Sequence, residues 1–189
     1  MKGWILSFAV ACAGVLAGCQ STPVLPSELA GYERILTGLR EPPLFGANAT
    51  DGFSQRVRIV VVPHYQLRPK MMVRLDQRES GMTSGVFIYG KEVSGRWTAT
   101  ERRQFSASGD EMKRLDELIR GAGIWETHQF ESREGMCTDG TMVLLERVSA
   151  SGYQLSYANA PCGTPREYLD VVRHIAGLAG RQLDGWLAY

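Results

Sequence analysis

The chain has 189 residues, 44% hydrophobic and 22% charged, close to the averages of folded soluble domains and far from those of disordered chains. Its 21 Lys and Arg against 20 Asp and Glu give a formal charge of +1, which excludes recruitment of nucleic acid or an anionic surface by a global field. A chain of this size buries one real core, and a second domain is not expected.

The N-terminus has three parts. Lys2 supplies positive charge, Trp4 to Leu16 form an uncharged stretch, and Leu16-Ala17-Gly18-Cys19 closes it. This is signal-peptide organisation, and the apolar run falls short of the ~20 residues that a permanent membrane helix needs. The quartet Leu16-Ala17-Gly18-Cys19 resembles the lipobox of bacterial lipoproteins. That resemblance implies alkylation of the Cys19 thiol with diacylglycerol, cleavage after residue 18 and acylation of the new amino group. Each buried CH2 contributes about 0.8 kcal/mol, so two or three chains hold essentially permanently. Gln20 stands where the family's sorting rule would read an aspartate as retention in the inner membrane. The expectation is therefore an outer-membrane anchor facing the periplasm.

Residues 1–18 thus read as a leader and 19–27 as a tether with Pro23 and Pro26, leaving 28–189 as one folded domain. From Glu28 to Leu39 the apolar residues Leu29, Tyr32, Ile35, Leu36 and Leu39 fall at helical spacing, although Gly31 and Gly38 weaken a helix. Four strand-like segments follow: Val57 to Val62, Met71 to Asp76, Gly85 to Val93 and Arg96 to Phe105. Pro63, Pro69, Gly81 and Ser94-Gly95 separate them, which predicts an antiparallel meander. Ser108-Gly109-Asp110-Glu111 is a capping box ahead of the stripe Met112, Leu115, Leu118 and Ile119, with Gly121 and Gly123 ending that helix. Thr164-Pro165-Arg166-Glu167 repeats the device, with proline at the first helical position, before Leu169, Val172, Ile175, Ala176 and Ala179. Between the two helices, Thr141 to Val148 and Tyr153 to Asn159 flank a turn at Ala150-Ser151-Gly152. The order ββββαββα predicts an α+β fold, mainly an antiparallel sheet with two helices packed on one face.

With Cys12 removed in the leader and Cys19 consumed by lipid, Cys137 and Cys162 remain, just outside the two ends of the predicted hairpin. A disulfide between them suits an oxidising periplasm. The alternative is a catalytic Cys137 paired with His128. The three histidines, His64, His128 and His174, have no HExxH spacing, and CxxC, GxSxG and phosphate-loop patterns are missing, so no metal or cofactor is indicated. Ser84 lies in Gly81-Met-Thr-Ser-Gly85, which has the wrong spacing for a nucleophile elbow. Arg68, Lys70, Arg74 and Arg78 share even numbering and read as a basic strip on one sheet face, either solvated or contacting phosphate, a glycan carboxylate or an acidic partner. Trp97, Trp125 and Trp186 read as core closures, with a carbohydrate-stacking surface as the alternative.

The residues favour a lipid-anchored, non-catalytic domain that binds or supports an envelope protein or glycan. Two other readings stay open. A periplasmic hydrolase would use His128, Glu131 and Glu134. An inhibitor of lysozyme or a protease would use a small disulfide-clipped domain, and Ser151-Gly152-Tyr153 faintly resembles the Ser-Gly loop of lysozyme-inhibitor lipoproteins.

Overall fold

The computed structural model describes residues 31–45, 51–63, 69–94, 96–126, 129–130, 140–160 and 164–183. A short helix, α1 (Tyr32–Leu39), precedes four strands, β1 (Gln55–Pro63), β2 (Lys70–Gln77), β3 (Thr83–Val93) and β4 (Arg96–Ala107). Helix α2 (Gly109–Gly121), strands β5 (Gln129–Phe130), β6 (Thr141–Ser149) and β7 (Gly152–Ala160), and helix α3 (Arg166–Leu178) complete the order. The strands form a seven-stranded sheet in the order β4-β3-β2-β1-β6-β7-β5. All pairings are antiparallel except that of two-residue β5 with β7.

The α+β class and antiparallel sheet are as expected, but the helices are three among the described residues, and the order gains α1 and β5. The reason lies in strand periodicity. Val57, Ile59 and Val61 of β1 pack under α2 and α3, together with Val73, Leu75, Val143 and Leu145. Val60, Met72, Ile88 and Leu144 point to the opposite face and are also buried, against Tyr32, Ile35, Leu36 and Leu39 of α1. A sheet apolar on both faces needs cover on both, and the amphipathic α1 supplies the second.

Helix α2 begins as the capping box predicts. The Ser108 hydroxyl accepts from the Glu111 N–H at 3.3 Å, and the Glu111 carboxylate accepts from the Ser108 N–H at 2.7 Å. The Ser108 hydroxyl can also donate to the same carboxylate oxygen, at 2.8 Å, and the backbone and hydroxyl donors together hold the Glu111 carboxyl below its ordinary value. At α3 the expected serine/threonine-type cap is not made. Pro165 is itself the cap residue, and its carbonyl accepts from the N–H groups of Tyr168 and Leu169. The Thr164 hydroxyl instead donates to the Asn159 carbonyl at 3.1 Å.

Gly38 weakens α1 by propensity, yet the fold needs it. A Cβ there would lie 2.3 Å from the Trp97 carbonyl oxygen, so α1 approaches the β4 backbone closely only at glycine. Gly38→Ala should therefore destabilise the protein by about 1–3 kcal/mol, although alanine favours an isolated helix by roughly 1 kcal/mol. Urea unfolding checks the sign, since a propensity-dominated site would gain stability.

Strand β4 is an edge and is blunted in two ways. A register shift opposite Tyr89/Gly90 leaves Thr100 unpaired, and Glu101, Arg102, Arg103 and Gln104 are exposed. Bulges and charges of this kind discourage edge-to-edge pairing.

Candidate functional site

Polar side chains collect in two places, on opposite faces of the sheet. The first lies beneath α1. Arg58 and Glu146 face each other on β1 and β6, and both are fully buried. Arg58 Nε donates to Glu146 Oε2 at 2.6 Å, and its Nη1 donates to the Pro42 carbonyl at 2.7 Å. The Tyr32 hydroxyl of α1 donates to Glu146 Oε2, and that of Tyr153 donates to Oε1 at 2.8 Å. Burial, with Glu146 close by, raises both tyrosines well above the ordinary phenol range, so they remain donors. Beside this group, buried Glu41 takes Arg74 and also Arg102, the latter at 2.6 Å. Buried Asp76 takes Arg56 at 3.2 Å and Arg74 at 3.0 Å.

Every carboxylate in that layer is occupied by arginine or tyrosine. A buried acid engaged in this way is committed to holding the fold and presents no unoccupied oxygen to a substrate. The layer is a clasp between α1, the following segment and the sheet. It also corrects the reading of the even-numbered strip. Lys70 and Arg74 do share the α1 face, but Arg74 is neutralised by Glu41 and Asp76, and Lys70 is buried. Arg78 lies past the end of β2, 5.5 Å from the Phe53 ring centroid.

Lys70 Nζ sits 3.2 Å from the centroid of Trp97, which gives that tryptophan its role as a cover on the core. Burial pushes the lysine down to about 8, while Glu92 pulls it back up. The unfolded chain holds this proton up to about 10.5, so the folded state carries a penalty below pH 8 that is relieved between pH 8 and 10.5. Lys70→Met should abolish that rise in stability with pH and add about 1–2 kcal/mol at pH 7, with the lost ring contact offsetting part of the gain. Thermal melts across pH 6 to 11 test it, roughly spanning the range in which lysine titrates. A less stable variant at pH 7 would contradict it.

The second polar cluster is half-buried. On the face covered by α2, the apolar rows of the sheet give way at one end to Gln55 opposite Gln77, and Arg147 opposite Gln154. Gln55 Nε2 donates to Gln77 Oε1 at 2.7 Å. Arg147 donates to Gln154 Oε1 from Nε at 2.9 Å and also from Nη2. Its guanidinium lies 4.8 Å from the centroid of Trp125, whose ring packs on the core. Burial lowers the Arg147 pKa, opposed by Asp116 and Glu126. Burial raises that of Asp116 on α2, opposed by Arg147, Arg120 and a hydrogen bond with Gln55. Convergent, partly wetted polar groups with shifted ionisation on a rigid floor are what a binding site requires. The sequence reading singled out only Trp125 from this group. A parity check would have found the rest, since Gln55, Gln77 and Arg147 fall in step with the core residues Val57, Leu75 and Leu145.

Cys19, Cys137, Cys162, His64, His128, Glu131, Glu134, Arg68 and Trp186 lie outside the described residues. His174 Nε2 is 3.2 Å from the Glu111 carbonyl, joining α3 to α2. Ser84 is exposed on β3, opposite Asp76 and Ser106. In the β6–β7 turn the Tyr153 hydroxyl is committed to Glu146 and the Ser151 N–H donates to Ser149 Oγ at 3.3 Å, so the Ser151-Gly152-Tyr153 stretch has a structural use. Among the described residues no group of three or more His, Cys, Asp or Glu side chains is placed to hold a metal ion, and no helix is long and apolar enough to cross a membrane. Compared with protein families and with curated proteins, the chain finds no match in either.

Proposed function

We propose that this chain is an envelope lipoprotein, anchored through lipid on Cys19 to the periplasmic face of the outer membrane, whose folded part is a non-catalytic binding or accessory module. The observation that carries the reading is the coincidence of Lys2, an apolar run of signal-peptide length and Leu16-Ala17-Gly18-Cys19. The binding half draws support from how the charged groups are used. Glu41, Asp76 and Glu146 hold the fold together, whereas the row around Arg147 is partly exposed and is the better place for a partner to touch.

Growth with labelled palmitate tests the anchor. Label should enter the wild-type protein and be lost in Cys19→Ser, which should also keep its leader. Label persisting in Cys19→Ser, or never entering the wild type, would overturn the proposal.

A further inference from the structure

Six arginines among the described residues are buried or half-buried, and five of them have a carboxylate within 4 Å: Arg56, Arg58, Arg74, Arg173 and Arg181. Arg147 is the sixth and has none among the described residues. Asp116 and Glu126 act on it only from beyond that distance, so its N–H groups hold no carboxylate in contact, and a bound anion would recover free energy lost in taking the guanidinium partly out of water. This guanidinium is also held still. Trp125 supports one side of its plane and Gln154 Oε1 binds its Nε and Nη2, which leaves Nη1 and the outer N–H of Nη2 as a fork. Two parallel N–H groups match the two oxygens of a carboxylate, and a braced fork loses little entropy on binding one.

The surroundings indicate what else the ligand carries. Among the described residues Gln154 uses only its oxygen, on Arg147, and neither Nε2 donor has a partner there. Among the described residues the Nε2 donors of Gln77 are likewise unused, while Gln55 links that residue to Asp116. Amide groups and one carboxylate in a row offer donors and acceptors together, which is the pattern that hydroxyl groups satisfy. We propose that this end of the sheet is a subsite for an acidic sugar, with its carboxylate on the Arg147 fork and its hydroxyls along Gln154, Gln55, Gln77 and Asp116. The proposal deepens the binding-module reading and is independent of the anchor, so either can fail alone.

The test uses the full chain in detergent with 15N-labelled tryptophan, following the Trp125 indole resonance, which is assigned with Trp125→Phe. Glucuronate should shift it saturably and bind at least about ten-fold more tightly than acetate or glucose, because only glucuronate engages both halves of the site. Arg147→Lys keeps the charge and loses the fork, and should weaken glucuronate about ten-fold while leaving the Trp97 resonance in place. Should that variant fold poorly, Gln154→Ala, at a partly exposed position, gives the same expectation. Acetate binding as tightly as glucuronate would overturn the sugar assignment. Tighter binding of N-acetyl-dialanine would replace it with a peptide carboxylate. An equal response to chloride at matched ionic strength, or none to any probe, would remove the site altogether.

Discussion

Replacing Glu146 with alanine should destabilise the protein by about 3–5 kcal/mol, the largest single loss expected anywhere in the described structure. The carboxylate is fully buried and accepts from Arg58, Tyr32 and Tyr153 at once. Its removal strands a buried guanidinium and two phenol hydroxyls, and each unpaired group carries a desolvation cost. Part of that cost is already present in the native protein, because Arg58 Nη2 is sealed from solvent without a partner. Glu146→Gln preserves shape and two acceptor lone pairs, and should cost less than the alanine. The double variant Arg58→Met/Glu146→Leu removes both charges, and should recover most of the loss. Urea denaturation of the three variants checks the ranking. Hydrogen exchange should show residues 32–39 losing protection first in Glu146→Ala, because Tyr32 ties α1 to the sheet through this carboxylate. An alanine variant that loses less than about 1 kcal/mol would show that the clasp is not what holds α1.

The second large effect concerns Cys137 and Cys162, proposed here to be bridged. The β6–β7 hairpin pairs Ser149 with Gly152 at its turn and Thr141 with Ala160 at its open end. Cys137 stands four residues before that open end and Cys162 two residues after it, so the bridge would close the mouth of the hairpin. Removing a cross-link around a loop of this length should cost about 3 kcal/mol, through the freedom returned to the unfolded chain. Cys137→Ser/Cys162→Ser should lower the unfolding midpoint, and a reducing agent should shift the wild type to the same value and leave the variant unchanged. A wild type insensitive to reduction would show two free thiols.

The parts of the fold that sequence makes legible are those fixed by local chemistry. Ser108 and Glu111 cap α2 because both partners lie within one turn, and strand boundaries follow Pro63, Gly81 and Ser94 closely. The charged clasp was not legible for the opposite reason. In Gln-Arg-Val-Arg-Ile-Val, alternation places Arg56 and Arg58 away from the α2-side core and suggests solvent. What buries Arg58 is α1 and the segment after it, Arg56 being flanked by Phe53 and Asp76, and the partner of Arg58 stands 88 residues later in the chain. Gly38 misleads in the same way, since its propensity is local while the Trp97 backbone that demands it is not. The proposed Arg147 subsite follows this rule in part: strand parity could have placed Gln55, Gln77 and Arg147 on the core face, but that no carboxylate among the described residues touches the Arg147 guanidinium is visible only in three dimensions.

Anchor, compartment and the oxidising conditions assumed for Cys137 and Cys162 all rest on one modification. Intact-mass analysis of the protein extracted from membranes reads it directly. A chain beginning at Cys19 with a diacylglyceryl group and a further acyl chain is the predicted result. A chain still carrying residues 1–18, or one beginning at Cys19 without lipid, would contradict it.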